Sequence, residues 1–438
     1  MNKRTSIIGL GHVGLLLAVK IASLDRQVFG FDTDSSVISS LRNGIPPFFE
    51  TGLSELLKSP SVRINFHLIE SWLDVSKSDV IVITVGTPIS VKGEPLLKSL
   101  DDCTDSLGKV LKSGQLVIYR STIPPGTLRG RIMPMLERAS GLSAGKDFQL
   151  AYSPERLVEG VALREIIDVP HIIGGLDDDS SKSAANFFES LGSKCIIVSR
   201  PEVAEMAKIM DNVYRDTNIA LANEFSLACE KLGIDVMESI KAANTSPRTK
   251  MLTPGCGVGG SCLNKDPYVL ISMMGNQVNL PVISSSRKTN EAMPSMFAEF
   301  LANKIMPSNP GGIITLLGIS FKAGTDDTRG TVTTTIAKKL LGKGFMLKAF
   351  DPLVSPQISE KLLPNVEISI SLEDAVRGSA AIVLCSDHEQ FKNMNLAQIK
   401  QIVGPECVLF DGRNIMNPFE VVSAGFRYVG LGRSISSE

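Results

Sequence analysis

Histidine and cysteine are scarce: four and seven residues in a chain of 438. They form no CxxC pair and no HExxH spacing, so no metal site is expected. The cysteines are too few and too scattered to staple a chain of this size, and their odd number would leave one over. A reducing, cytoplasmic compartment fits them best. Aromatic residues make up 5% of the chain, too few for the stacking platforms of single-strand nucleic-acid binders. Charge of one sign is also missing, with Lys+Arg 45 against Asp+Glu 46. No long run of either sign offers a patch for phosphate backbones or lipid headgroups. Nucleic acid and membrane are therefore not expected partners.

What is there suits a soluble protein of two or three domains, with 43% hydrophobic and 21% charged residues. The start, MNKRTSIIGLGHVGLLLAVKIAS, has the basic lead and apolar run of a signal peptide. Three glycines interrupt that run and have a better explanation. TSIIG reads as a buried strand, Gly9, Gly11 and Gly14 open a helix through about Ser23, and QVFGFD is a second strand ending at Asp32. Further strands read at SDVIVITVGTP, GQLVIYRSTIPPG and FQLAYSPER, separated by helical stretches such as Ser99 to Leu111 and Leu128 to Ser140. Such alternation implies a doubly wound parallel sheet.

From Pro201 the period becomes helical, and no strand signal returns until Ile313. The Pro/Gly/Ser/Asn-rich MPSNPGG, Met306 to Gly312, marks a boundary. Four strands follow, in GIITLLGISFK, GFMLKAFDP, AAIVLCSD and CVLFDGRN, and the terminal SISSE is expected to be disordered. The expected fold is α/β, with two Rossmann-like doubly wound domains (1–200 and 307–438) joined by an all-α segment (201–306).

GLGHVG is a weak signal alone, but strand, glycine turn, helix, strand and acid together predict a dinucleotide site. Asp32 suits a ribose hydroxyl, and Asp34, with no arginine immediately following, would repel a 2′-phosphate, so NAD is favoured over NADP. The last domain has no GxGxxG; LLGISFKAGTDDTRG instead offers Lys322 and Arg329, either for a charged ligand or simply paired with Asp326 and Asp327.

TPGCGVGGSCLNKDPY crowds glycines around Cys256 and Cys262. Glycine lets backbone pass close to a ligand, and Lys265 near Cys262 suits a thiolate, the form that attacks carbonyls. The other five cysteines read as small buried hydrophobes, and Cys256 most simply as another. A hydride acceptor together with a nucleophilic thiol suggests oxidation of an alcohol through a thiohemiacetal and a thioester, four electrons in all.

With these residues in place, the chain resembles the UDP-glucose/GDP-mannose dehydrogenase family over essentially its whole length. The likeness rests on PGCGVGGSCLNKDPY, RSTIPPGT, YSPERLVEG, AEMAKIMDNVYRDTNIALANE, FKAGTDDTR and FDP, in that order. It implies Cys262 as nucleophile, with Asp266 beside it. Glu155 would be acid/base in thioester hydrolysis, Thr122 would orient the water, and Lys208 and Asn212 would stabilise oxyanions at the sugar C6. The resemblance further implies Gly9, Gly11, His12, Val13, Gly14, Asp32, Thr87, Thr122, Lys265 and Arg329 around NAD. Glu155, Arg156, Leu157, Lys208, Asn212, Gly259, Arg287 and Lys322 are implied around the UDP-sugar, with Arg287 reaching across a subunit interface and Lys322 and Arg329 at the nucleotide-sugar end. It implies a homodimer through the long helix.

Arg156 after the Pro-Glu pair resembles the branch acting on N-acetylated amino sugars, whereas Ser261 before the nucleophile matches UDP-glucose enzymes. The expectation is a UDP-N-acetylhexosamine 6-dehydrogenase, UDP-ManNAc before UDP-GlcNAc, with UDP-glucose as the alternative. Two-electron hydroxyacid dehydrogenases need neither the thiol nor the third domain, and a non-catalytic nucleotide-binding protein would bind NAD without turnover.

Overall fold

The computed structural model describes residues 3–90, 93–305, 312–404 and 406–433. Two compact units emerge, Met1–Asp211 with Tyr268–Gly275, and Asn212–Pro267 with Asn276–Glu438. The first unit carries eight strands: β1 (Thr5–Ile8), β2 (Val28–Phe31), β3 (Phe66–Leu68), β4 (Val80–Ile83), β5 (Leu116–Tyr119), β6 (Gln149–Tyr152), β7 (His171–Gly175) and β8 (Cys195–Ile197). They lie in the order β3-β2-β1-β4-β5-β6-β7-β8, parallel except where β6 meets β7. In β1, β4 and β5 every residue is buried. Their alternate side chains feed two cores, Val80, Val82, Leu116 and Ile118 on one face and Ile81, Ile83, Val117 and Tyr119 on the other. Helices cover both faces, which is why these strands read as unbroken apolar runs.

The second unit holds β9 (Ile313–Leu317), β10 (Met346–Phe350), β11 (Glu367–Ile368), β12 (Ala381–Leu384), β13 (Val408–Asp411) and β14 (Arg427–Gly430). The order is β11-β10-β9-β12-β13-β14, parallel throughout. Each sheet thus reverses its strand order once, between β1 and β4 and between β9 and β12, and such a switch point opens a ligand crevice beyond the strand ends.

The α/β expectation holds, with two parallel-sheet domains and a helical segment between them in sequence. That segment includes the helices Pro201–Leu232 and Pro281–Ile305. The expected boundary at Met306 to Gly312 falls almost wholly outside the described residues, as does SISSE. The stretch Leu128 to Ser140 is not one regular helix: a π-helical turn, Leu128–Ile132, precedes the helix Met133–Ser140, whose start holds Pro134. Among the described residues no helix is long and apolar enough to cross a membrane, and no group of three or more His, Cys, Asp or Glu is placed to hold a metal ion.

Candidate active site

In the first unit the turn after β1 and the loop after β4 meet at the switch point. Gly9 has φ +92°, its carbonyl accepts from Thr84 Oγ1 at 2.7 Å, and Asp32 at the end of β2 accepts from Leu10 N at 2.6 Å. The three glycines do different work. A Cβ on Gly14 would lie 1.8 Å from the Gly9 carbonyl oxygen, whereas one on Gly11 would meet no protein atom within 4 Å. The constraint on Gly14 is therefore internal, and the space at Gly11 lies open at the N-terminus of the helix His12–Ser23, which has no side-chain cap. An uncapped helix start beside an open glycine fits a pyrophosphate. His12 stacks on Phe48, and Val13 is half-buried. Asp34 is an exposed N-cap accepting from Ser36 N and Oγ, and these bonds hold its carboxyl below the usual value.

Thr87 Oγ1 donates to the Thr122 carbonyl at 2.5 Å, tying the loop after β4 to the loop after β5. Glu205, buried on the helix Pro201–Leu232, accepts from Gly126 N and Leu128 N and so anchors the other end of STIPPGT. Burial pushes the Glu205 carboxyl up to about 7. Glu155 is ion-paired with buried Arg120 and accepts from Arg156 N at 2.6 Å and Leu157 N at 2.7 Å. Burial alone would raise its carboxyl; Arg120, the Leu157 N–H and the charge of Lys208 bring it below the ordinary value. Lys208 is itself buried. Further carboxylates hold the backbone after Glu155, Val158 N by Glu165 and Gly160 N and Ala162 N by Glu50. The N–H of Leu157 is thereby engaged by Glu155. The Arg156 guanidinium donates to the Pro170 carbonyl.

The second unit holds the thiol. Cys262 is exposed, with Ser261 Oγ 3.7 Å from its sulfur. Its carbonyl accepts from Lys265 N at 3.0 Å and Asp266 N at 2.9 Å. Asn212 Nδ2 donates to Asp266 Oδ2 at 2.6 Å, while Lys265 Nζ lies 3.6 Å from Asp266 Oδ1. That Oδ1 is buried and has no hydrogen-bond partner among the described residues, an acceptor available for a water or substrate proton.

The glycines around the thiol serve close approach. A Cβ on Gly257 would come within 2.7 Å of Pro294, and one on Gly259 or Gly260 within 2.7 or 2.8 Å of Phe321. Cys256 N donates to the Gly412 carbonyl and Gly260 N to that of Arg329. Cys256 is fully buried, and burial raises its thiol. Cys103, Cys385 and Cys407 are also buried, whereas Cys195 and Cys229 are only half-buried. Their expected place inside the core is corrected on that point.

The second crevice repeats the first with one change. Asp351, at the position of Asp32, accepts from Ile319 N and Ser320 N. Ser320 stands where Gly11 does, and His388 Nε2 lies 2.8 Å from its hydroxyl and 3.2 Å from Asp351. Burial would raise the Asp351 carboxyl, but His388 and the backbone donors bring it down to about 2. The acid that would take a ribose hydroxyl is already engaged. Arg329 pairs with Asp327, the neighbour the sequence suggested, and Lys322 is half-buried with its carbonyl accepting from Ser320 Oγ. Arg287 is buried against Asp216 of its own chain. Arg413, which sequence reasoning missed, donates to the carbonyls of Cys385, Gly257 and Phe321. Its adjacency to the FDGRN strand end was the available signal.

The chain is similar to known proteins over its whole length. Residues 3–192 match the NAD binding domain of the UDP-glucose/GDP-mannose dehydrogenase family, residues 202–292 its central domain, and residues 315–418 its UDP binding domain. A UDP-N-acetyl-D-mannosamine dehydrogenase of Pyrococcus horikoshii is 35% identical, over 98% of this chain and 99% of its own. A UDP-N-acetyl-D-glucosamine 6-dehydrogenase of Pseudomonas aeruginosa is 32% identical, over 94% and 97%. The solved structure of a UDP-glucose dehydrogenase from Pyrobaculum islandicum superimposes with TM-score 0.88 at 25% identity, over 99% and 98%. An open glycine turn that suits a dinucleotide, the NAD binding and UDP binding models over the two sheets and full-length similarity converge: this chain belongs to the UDP-glucose/GDP-mannose dehydrogenase family and is an NAD-dependent nucleotide-sugar dehydrogenase.

Proposed function

We propose that the chain oxidises the C6 hydroxyl of a UDP-N-acetylhexosamine, UDP-ManNAc in preference to UDP-GlcNAc, to the uronate through a covalent thioester on Cys262. The observation that carries this reading is the exposed Cys262 thiol, whose backbone carbonyl accepts from the N–H of Asp266 in a buried Asn212–Asp266 pair. When bound, NAD+ accepts the hydride leaving C6 in each of two oxidations. The chain's residues do the rest. The Cys262 thiolate adds to the C6 aldehyde, forming a C–S bond and an alkoxide. After the second oxidation the carbon is a thioester; water adds, the C–S bond breaks, and the thiolate leaves from a carboxylate product. Lys208 and Asn212 stabilise the oxygen that gains charge at each tetrahedral stage. Glu155 takes the proton of the attacking water, Thr122 orients that water, and Asp266 holds the Asn212 amide and supplies its unfilled acceptor.

The names of the Pyrococcus and Pseudomonas relatives and Arg156 support the N-acetylated substrate; Ser261 favours UDP-glucose as the second reading. Limiting UDP-ManNAc, UDP-GlcNAc and UDP-glucose, offered separately with excess NAD, decide between them. Two NADH per sugar are expected from UDP-ManNAc. One NADH from every sugar would remove the role given to the thiol.

The homodimer belongs to the same proposal. Tyr214, Leu221, Phe225 and Leu232 are 57%, 47%, 44% and 70% exposed on the helix Pro201–Leu232, at steps of seven, four and seven residues. That period gives an apolar seam along one helix face. Glutamate at Leu221 and Phe225 together is expected to give a monomer by light scattering, and a persisting dimer would place the interface elsewhere.

A further inference from the structure

Glu155 sits in a cage whose arginine opens the RSTIPPGT motif but had no role assigned to it there. Arg120 follows β5 directly and is 2% exposed. One of its terminal nitrogens donates to Glu155; the other reaches Ser153 Oγ at 3.2 Å and His171 Nδ1 at 3.3 Å. A guanidinium only donates, so Nδ1 of His171 must accept. The opposite ring nitrogen, Nε2, lies 3.1 Å from the Ile166 carbonyl, which only accepts. These two contacts fix His171 as the neutral tautomer with its proton on Nε2. Burial and the Arg120 charge agree, holding the imidazole down to about 3. Phe188 closes the cage, stacked on His171 with ring centroids 4.2 Å apart and lying 5.0 Å beneath the guanidinium.

We infer that Arg120, oriented by neutral His171, is a positioning residue that holds Glu155 ionised and fixed in direction for its work on the attacking water. The inference rests on the base role proposed for Glu155. Without the guanidinium, burial would favour the protonated carboxyl, and only Oε1, held by Arg156 N and Leu157 N, would keep its anchor. The other charged groups facing the assembly are Lys208, which acts on Glu155 in the same sense as Arg120, and Arg156, which adds to the field at His171. The guanidinium engages Glu155, Ser153 and His171 at once. A lysine can supply the charge but not the planar fork that spans all three.

The test compares pH profiles of kcat for R120M, R120K, H171L and E155Q, each checked by thermal melting and NADH affinity. R120M is expected to lose about 100-fold in kcat and to move the acidic limb upward by about one pH unit or more, with NADH affinity unchanged. The sign follows from the base needing to be ionised: removing the cation raises the Glu155 carboxyl, and activity fades at a higher pH. R120K restores the limb but only part of kcat, and H171L shows the kcat loss with a smaller limb shift. A folded R120M with the parental limb overturns the inference. If R120M does not fold, parental profiles in both R120K and H171L overturn it. E155Q separates the two levels: full two-NADH turnover in E155Q would sink the base role itself, whereas an inactive E155Q beside an unaltered R120M would sink only the positioning role.

Discussion

Replacing Cys262 by serine will abolish the second oxidation: with limiting nucleotide sugar and excess NAD, the variant will release at most one NADH per sugar, and steady turnover will fall by about 10⁴-fold or more. A hydroxyl at that position is far less nucleophilic at neutral pH, and no other exposed thiol stands beside it: Cys256, six residues earlier, is completely buried. The loss should fall on kcat and leave NADH affinity near the parental value, because the glycine turn for NAD does not include Cys262. Denaturing mass spectrometry adds an independent reading, since parental enzyme quenched in turnover should carry the sugar-nucleotide mass on the tryptic peptide containing Cys262. Two NADH from the serine variant at the parental rate would end the thioester mechanism.

The second large effect separates two glycines three residues apart. Gly14→Ala drives a methyl to 1.8 Å from the Gly9 carbonyl oxygen and 2.4 Å from Thr84 Oγ1, so backbone at the switch point must move. Overpacking of this kind costs about 2 kcal/mol or more, a fall of about 5 °C in Tm for a unit of this size, and the displaced turn should weaken NAD binding as well. Gly11→Ala meets nothing in the protein, and its φ of −73° suits any residue. That variant should melt with the parent yet bind NAD about tenfold or more weakly, its methyl standing where the pyrophosphate approaches. Calorimetry and NADH fluorescence on both variants check the pair. Equal melting with equal affinity in Gly11→Ala would place the dinucleotide elsewhere.

The strands that sequence patterning revealed, β1, β2, β4, β5, β6, β9, β10, β12 and β13, are mostly runs of consecutive apolar residues buried on both faces. Of those it passed over, β3, β8 and β11 are short, and β3, β8, β11 and β14 sit at sheet edges. β8 leaves Ile196 and Ile197 each 51% exposed, β11 has two residues, and β7 ends in two glycines. Such segments are strands because a neighbour offers a hydrogen-bonding edge, a property their own residues do not carry. The candidate site divides the same way. Cys262, Lys208, Asn212 and Asp266 stand in motifs whose composition is chemically suggestive. Glu50 stands in none, and Glu205 shares the motif of Lys208 with nothing to set it apart, since their role is to accept backbone N–H groups 110 and 79 positions away in the chain. Arg120 ends an ordinary apolar strand, and only the folded sheet brings Glu155 and His171 to it.

The glycines at 257, 259 and 260 carry no reactive group, yet the walls formed by Pro294, Val332 and Phe321 leave no room for a methyl at any of them. A saturation-mutagenesis map of the thiol loop will therefore show a block of intolerance that looks catalytic and is steric in origin. Second-site changes that shorten Phe321 should ease the ring contact at 260, where the positive φ still favours glycine, and leave 257 and 259 as intolerant as before, because Gly259 faces the Phe321 Cβ itself. Evolution of a new sugar preference is thereby steered away from this loop, toward residues that can change without reopening the backbone.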